Sequence, residues 1–271
     1  MTFDQEFFDK TSGPLIECSK QASEEIIKIY ESDEFEASDK DDGSPLTAAD
    51  RASNEIILEN LSKITPSIPI ISEENFNIKL LNDLPSMYWL VDPLDGTKEF
   101  INKTDEFTVN IALIENGKTV YGVVGEPIQD KHWIGSNLQI SENDNDVPDV
   151  IRVVMSKSHK SENDESFLNF LEKKDIKYEI IEKGSSLKLC SLADNQADIY
   201  PRFGPTSEWD IAAAHAVLKS YGGNVLRIDN LLELSYAKTD SILNPYFICI
   251  RNKAIKDAFL PILGDFFKKL V

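Results

Sequence analysis

An unbroken apolar run from Met87 to Val91 stops at Asp92-Pro93-Leu94-Asp95-Gly96-Thr97. A short continuous run of aromatic and β-branched residues reads as a buried strand. Pro93 has no amide to give to a central ladder, and Gly96 supplies a tight turn. The strand is therefore predicted to end there, with two carboxylates thrust out at a sheet edge. On either side the pattern alternates between helical and strand periods. Leu15, Cys18, Ala22, Ile26 and Ile29 predict a first amphipathic helix after Gly13-Pro14. The acidic stretch from Glu31 to Gly43 reads as a loop or flap. Ala49, Ala52, Ile56, Leu61 and Ile64 predict a second helix, with Asp50 in its first turn and Pro66 beyond its end. Ile68 to Ser72 reads as a short strand, and it too finishes in acids, Glu73 and Glu74.

Thr97 to Asn102 predicts a short helix. Phe107–Glu115 and Thr119–Gly125 flank Asn116-Gly117, a strong hairpin signal, and Trp133-Ile134 marks another strand. Residues 138–149 are polar and acidic, and the expected boundary between an N-terminal half (1–149) and a C-terminal half (150–271) falls there. Beyond it strands at 151–155, 178–181, 199–200, 225–228 and 247–250 alternate with helices at 165–173, 186–192 and 211–221. Such alternation predicts an α/β layer. A last helix carries Phe259, Leu260, Ile262, Leu263, Phe266 and Phe267. Its apolar face is expected to pack on a core rather than on a membrane.

Composition narrows the chemistry. Acidic residues outnumber basic ones 47 to 28 in 271 residues, giving a formal charge of −19. That opposes nucleic-acid binding, which needs a basic footprint, and means that an anionic substrate needs local positive charge. Cys18, Cys190 and Cys249 lack C-x-x-C spacing, which argues against a disulfide framework and a thiolate zinc site. There is no basic-then-apolar leader and no apolar run of bilayer length. The expected location is the cytoplasm, with peripheral association at the inner face of the membrane as the alternative. Oligomeric state is not legible.

Glu73, Asp92, Asp95 and Asp210 fall at strand ends or helix starts, each with a plain structural explanation. Asp50 can serve the helix dipole, worth a few tenths to about 1 kcal/mol. Asp210, ahead of the alanine-rich helix, stands where an N-cap would, worth about 1 kcal/mol. Taken together they point further. Like charges held close repel unless a proton or cation lies between them, and oxygen ligands suit a hard divalent ion. With three histidines and none at zinc-ligand spacing, magnesium is expected rather than zinc. Carboxylates around two hard cations are the apparatus of phosphate ester cleavage. No Gly-x-Ser-x-Gly or Walker Gly-Lys-Thr is present.

Asp92-Pro93-Leu94-Asp95-Gly96-Thr97, preceded by Ser72-Glu73-Glu74 and followed by Trp209-Asp210, resembles the inositol monophosphatase superfamily. The continuation Lys98-Glu99-Phe100, with Phe107 to Ile114, Gly184 to Lys188 and Tyr200 to Asp210, resembles its 3′(2′),5′-bisphosphate nucleotidase branch of the CysQ type. The resemblance implies a layered αβαβα sugar-phosphatase-like fold. Its N-terminal half is antiparallel-rich and holds metal; its C-terminal half is α/β and holds substrate. It implies two or three magnesium ions on Glu73, Asp92, the Leu94 carbonyl, Asp95 and Asp210. Asp50, Thr97 and Glu73 form the implied catalytic set. Gly96, Thr97, Ser156, Ser158, His159, Gly184, Ser185, Ser186, Lys188, Arg202 and Asp210 form the implied substrate wall. A small-residue turn with a lysine in the helix behind it independently suits a second phosphate. The chain departs from the branch at Lys157, where arginine is frequent, and at Ala212-Ala213-Ala214, where relatives often carry glycine. The implied reaction is removal of the 3′-phosphate from 3′-phosphoadenosine 5′-phosphate, a small nucleotide. An inositol or sugar monophosphate substrate, and a non-catalytic cation-binding role, stay open as rivals.

Overall fold

A computed structural model of the chain describes residues 2–32, 37–39, 45–141, 146–157, 161–236, 238 and 240–270. The N-terminal part contains α1 (Gln5–Glu31), β1 (Ala37–Asp39), β2 (Pro45–Thr47), α2 (Ala48–Ile64), β3 (Ile70–Ser72), β4 (Met87–Asp95), α3 (Thr97–Ile101), β5 (Thr108–Glu115), β6 (Lys118–Glu126) and β7 (Lys131–Ser136). The C-terminal part contains β8 (Ile151–Ser156), α4 (Glu162–Lys173), β9 (Tyr178–Lys183), α5 (Leu187–Ala193), β10 (Ile199–Arg202), α6 (Glu208–Ser220), β11 (Asn224–Arg227), β12 (Phe247–Ile250) and α7 (Lys253–Phe267).

Two five-stranded sheets, in the orders β3-β4-β5-β6-β7 and β11-β12-β10-β8-β9, form two of the layers. The first is antiparallel except where β3 runs parallel to β4; in the second, β8 runs parallel to both β9 and β10. Three apolar clusters tie the layers together. Met87, Trp89 and Val91 face α1 and α2, with Leu15, Ile26 and Ile57. Tyr88 and Leu90 face the other way, onto α5 and α6 between the sheets. The far side of the second sheet packs on α4 and α7. The result is the expected αβαβα stack. A strand covered on both faces must be apolar at every position, which is why β4 reads as a continuous run. The same alternation turns Asp92 and its cross-strand partner Asn110 toward α5 and α6.

Three expectations are corrected here. First, the opening helix starts at Gln5, before Gly13-Pro14, with Pro14 inside it. Asp4 caps it by accepting from the Phe7 amide, and Phe3, Phe7 and Phe8 form an aromatic cluster with Tyr121 that anchors the early turns. Tertiary packing outweighs the proline. Second, β4 does not stop at Asp92. Its pairing passes from Asp92↔Asn110 to Asp95↔Thr108, so β4 carries one extra residue, and Pro93 lies in that bulge where no ladder amide is needed. Third, part of the expected flap is strand, since Ala37–Asp39 pairs antiparallel with Pro45–Thr47; residues 33–36 and 40–44 lie outside the described residues. The last helix buries Ile255, Leu263, Phe266 and Phe267, as its apolar face led us to expect.

Helix α6 lies unusually close to the first sheet, because alanines on the helix meet glycines on the strands. A Cβ on Gly122 would stand 2.5 Å from the Ala213 carbonyl oxygen, and one on Gly135 would stand 2.4 Å from Val217 Cα. Neither backbone can yield without moving the helix. Gly135→Ala is therefore expected to cost about 1–3 kcal/mol, the usual range for overpacking. A urea midpoint indistinguishable from the wild type would contradict this close docking.

Candidate active site

The carboxylates are delivered by three separate pieces of backbone. β3 ends at Ser72, whose hydroxyl donates to Asn54 Oδ1 on α2 at 2.7 Å, and the following turn presents Glu73. The β4 bulge presents Asp92 and Asp95. Ser53 on α2 donates to the Pro93 carbonyl at 2.7 Å, and the Leu94 amide donates to Asp92 Oδ1 at 3.1 Å. Gly96 follows in the left-handed region, φ 94°, as N-cap of α3; a side chain there would press on the Glu106 carbonyl and on Ser185. Asp210 comes from α6. Phe76, just past the Glu73 turn, packs edge-on against Trp209 at 5.1 Å between ring centres. That contact draws Glu73 and Asp210 toward one another.

The assignment of Asp210 as N-cap is corrected. The cap is Ser207, and Asp210 sits three residues further on, in a capping box, where its Oδ2 accepts from the Ser207 amide at 2.9 Å. A carboxylate at that place points back over the helix end instead of closing it, and so reaches the pocket.

These residues border one pocket of about 570 Å³, lined by Glu73, Asp95, Gly96, Thr97 and Asp210 on one side and Ser156, Ser185, Lys188 and Arg202 on another. Asp92 is buried behind the acidic wall, 2% exposed. Burial first, then the charges of Glu73, Asp95 and Asp210, push the Asp92 carboxyl well above the usual aspartate range. Burial, Asp95 and Glu73 do the same to Asp210. Asp95 is raised chiefly by burial and partly held back by Lys188. Lys188 itself is driven down to about 8 by burial, against the pull of Asp95. Among the described residues, no three acidic, histidine or cysteine side chains already close around a single point. The donor set is all oxygen, and its crowding is relieved by a hard cation, so these residues fit such an ion.

Asp50 stands beside this group on α2, buried and 1% exposed. Its Oδ2 accepts from the Thr47 amide at 2.8 Å and from the Thr47 hydroxyl at 2.5 Å, and its Oδ1 accepts from Thr97 Oγ1 at 3.2 Å. Both oxygens are thus oriented, and the second carries a hydroxyl that lines the pocket.

Of the expected substrate wall, Gly184 and Ser186 lie behind the surface. The Gly184 amide donates to Glu106 Oε2 at 3.0 Å, and a Cβ there would meet the Glu106 carbonyl at 2.9 Å. Ser158 and His159 lie outside the described residues. Sequence reasoning passed over Glu106, Asn110, Thr108 and the strap before β12. In that strap Ile242 accepts from the Glu208 amide, Asn244 donates to the Ser207 carbonyl, and Lys238 pairs with the buried Glu208. The only signal for these was polarity in an otherwise apolar or acidic context, which does not by itself name a partner. No helix among the described residues is long and apolar enough to cross a membrane.

Comparison with known proteins identifies the family. The model of the inositol monophosphatase family matches residues 9–263. The chain is 42% identical to the 3′(2′),5′-bisphosphate nucleotidase CysQ of Salmonella typhimurium, over 86% of this chain and 96% of that protein. It is 44% identical to the protein of the same name from Buchnera aphidicola, over 80% and 84%. Among solved structures, CysQ from Bacteroides thetaiotaomicron superposes with a TM-score of 0.76 at 33% identity, covering 90% of this chain and 98% of that one. An inositol monophosphatase from Thermotoga maritima shares the fold at a TM-score of 0.72 and 19% identity, with 94% and 97% covered.

Proposed function

This chain belongs to the inositol monophosphatase family, and from that premise we infer that it is a metal-dependent phosphatase of the 3′(2′),5′-bisphosphate nucleotidase type. It removes the 3′-phosphate of 3′-phosphoadenosine 5′-phosphate, yielding AMP and phosphate. The observation that carries this reading is that carboxylates and cations share the lining of a single pocket. Glu73, Asp95 and Asp210, suited to cations that grip a scissile phosphate, line it together with Lys188 and Arg202, suited to a second phosphate. A monophosphate has no use for the second pair.

Glu73, Asp92, Asp95 and Asp210, with the Leu94 carbonyl, would hold two or three magnesium ions. When bound, magnesium supplies charge to the phosphoryl oxygens, acidifies water and steadies the leaving oxygen. The remaining work belongs to the chain. The Gly96 and Thr97 amides, at the first turn of α3, hold the scissile phosphate by its oxygens. Thr97 Oγ1, already donating to Asp50, accepts a proton from the attacking water as its own passes to Asp50. Glu73, lining the same pocket, completes the catalytic set. The water oxygen forms the new bond to phosphorus in line with the breaking bond to the 3′ oxygen, which takes up a proton from solvent as it departs. Ser156, Ser185, Lys188 and Arg202 hold the rest of the nucleotide, so that its binding energy orients the reacting phosphate.

The test is phosphate release with magnesium from the bisphosphate nucleotide and from inositol 1-phosphate, in the wild type and in Lys188→Met. The nucleotide is expected to be preferred. The variant is expected to raise its KM about 10- to 100-fold, the worth of a charged hydrogen bond, with a much smaller effect on the monophosphate. Preference for inositol 1-phosphate would overturn the substrate assignment.

A further inference from the structure

We propose that Asn110 is a positioning residue that sets the metal-facing groups of β4 and α6 against each other. The inference rests on the reading of the acidic pocket given above. Asn110 lies on β5 opposite Asp92, fully buried, on the face turned toward α5 and α6. A buried amide is tolerated only when its protons and lone pairs find partners, and here they are Asp95, which lines the pocket, and Ser186 and Thr108, buried behind it. The Nδ2 group carries two protons. One goes to Ser186 Oγ at 3.0 Å and the other toward Asp95 Oδ2 at 3.4 Å. Its Oδ1 accepts from Thr108 Oγ1 at 3.3 Å.

Ser186 Oγ, having accepted from Asn110, donates to the main-chain carbonyl of Asp210 at 2.7 Å. Ser185 Oγ is 2.7 Å from Thr108 Oγ1. One directional chain therefore runs from Asn110 through Ser186 to the backbone that carries Asp210, while the same amide reaches Asp95. Only a side chain with two protons on one atom can start both branches. Alanine removes both. An ionised aspartate donates neither, and it adds a charge beside Asp92 and Asp95.

Asn110→Ala, Asn110→Asp and Ser186→Ala are tested by calorimetric titration of the purified protein with Mn²⁺ alone, independent of turnover. Thr65→Val serves as the comparison, because it removes a buried hydrogen bond to Trp89 on the opposite face of the sheet. The three pocket variants are expected to bind Mn²⁺ about 10- to 100-fold more weakly, as loss of a partner behind a ligand usually does. The magnesium concentration giving half-maximal phosphate release is expected to shift in parallel, with KM for the nucleotide nearly unchanged. Thr65→Val is expected to lower the melting temperature and leave Mn²⁺ affinity alone. If neither Asn110 variant folds, Ser186→Ala decides. Folded variants that bind Mn²⁺ within about twofold of the wild type overturn this inference alone. Failure of the wild type to bind Mn²⁺ overturns it together with the phosphatase reading.

Discussion

Asp92→Asn is expected to lower kcat by at least about 10³-fold, since charge stabilisation by a held cation is worth several kcal/mol in the transition state. The same change is expected to leave the metal-free protein as stable as the wild type or more so. Asp92 is buried among Glu73, Asp95 and Asp210, and its carboxyl titrates well above the usual aspartate range. Between the unfolded and folded values the folded chain binds more protons, so the stability of the metal-free fold falls as pH rises through that interval. The penalty is absent below the ordinary aspartate range, near the 3.8 of a free side chain, and complete above the raised folded value. The amide variant carries no such penalty. The difference in melting temperature between variant and wild type, in excess chelator, is therefore expected to widen with rising pH; distant titrating groups are common to both proteins and cancel, while Glu73, Asp95 and Asp210, freed of the Asp92 charge, ionise more easily in the variant and act in the same direction. Retained turnover of a tenth or more, or a gap that narrows as pH rises, would remove Asp92 from the metal-holding set.

Replacing the other buried acid tests the opposite side of the mechanism. Asp50→Asn is expected to reduce kcat about 10²- to 10⁴-fold at saturating magnesium, the usual range for losing a positioned base, with KM little affected. Thr97→Ala is expected to fall in the same range, while Thr97→Ser, which keeps the hydroxyl, retains most of the activity. Because Asp50 and Thr97 act as one relay, the double variant is expected to be no slower than the worse single one. Asp50 also accepts from the Thr47 amide and hydroxyl at the start of α2, so the amide costs about 0.5–2 kcal/mol of capping as well. Activity is for that reason compared well below the melting temperature. Effects that multiply in the double variant would show that the two side chains serve different steps.

The local elements were legible because their causes are local. A run covered on both faces is apolar at every position, as β4 is, and Asn116-Gly117 turns because both residues take positive φ, 51° and 74°. The acidic motifs were visible for a related reason: charge at a strand end is conspicuous in a sequence. Where the reading failed, a distant contact had overruled a local rule. Pro14 would end an isolated helix, but the turns before it are held by the aromatic cluster on Tyr121. Pro93 would end a flat strand, but a bulge spares its missing amide.

While the αβαβα layering was implied by the family resemblance, residue order alone determined the succession of strands and helices, through the periods of its apolar positions, and the presence of Glu73, Asp92, Asp95 and Asp210 at the ends of elements. It could not determine which polar residues stand behind them. Asn110, Thr108, Glu106 and Glu208 are ordinary polar residues in one dimension. Their partners in other elements lie 15 to 78 residues away in the chain, and only the pairing of β4 with β5, the strap laid over the start of α6, and the docking of α5 and α6 against the first sheet bring them within hydrogen-bond reach. The geometry that gathers scattered acids with Lys188 and Arg202 around one pocket is a property of that packing. It depends on distances between elements, which no pattern along a single element encodes.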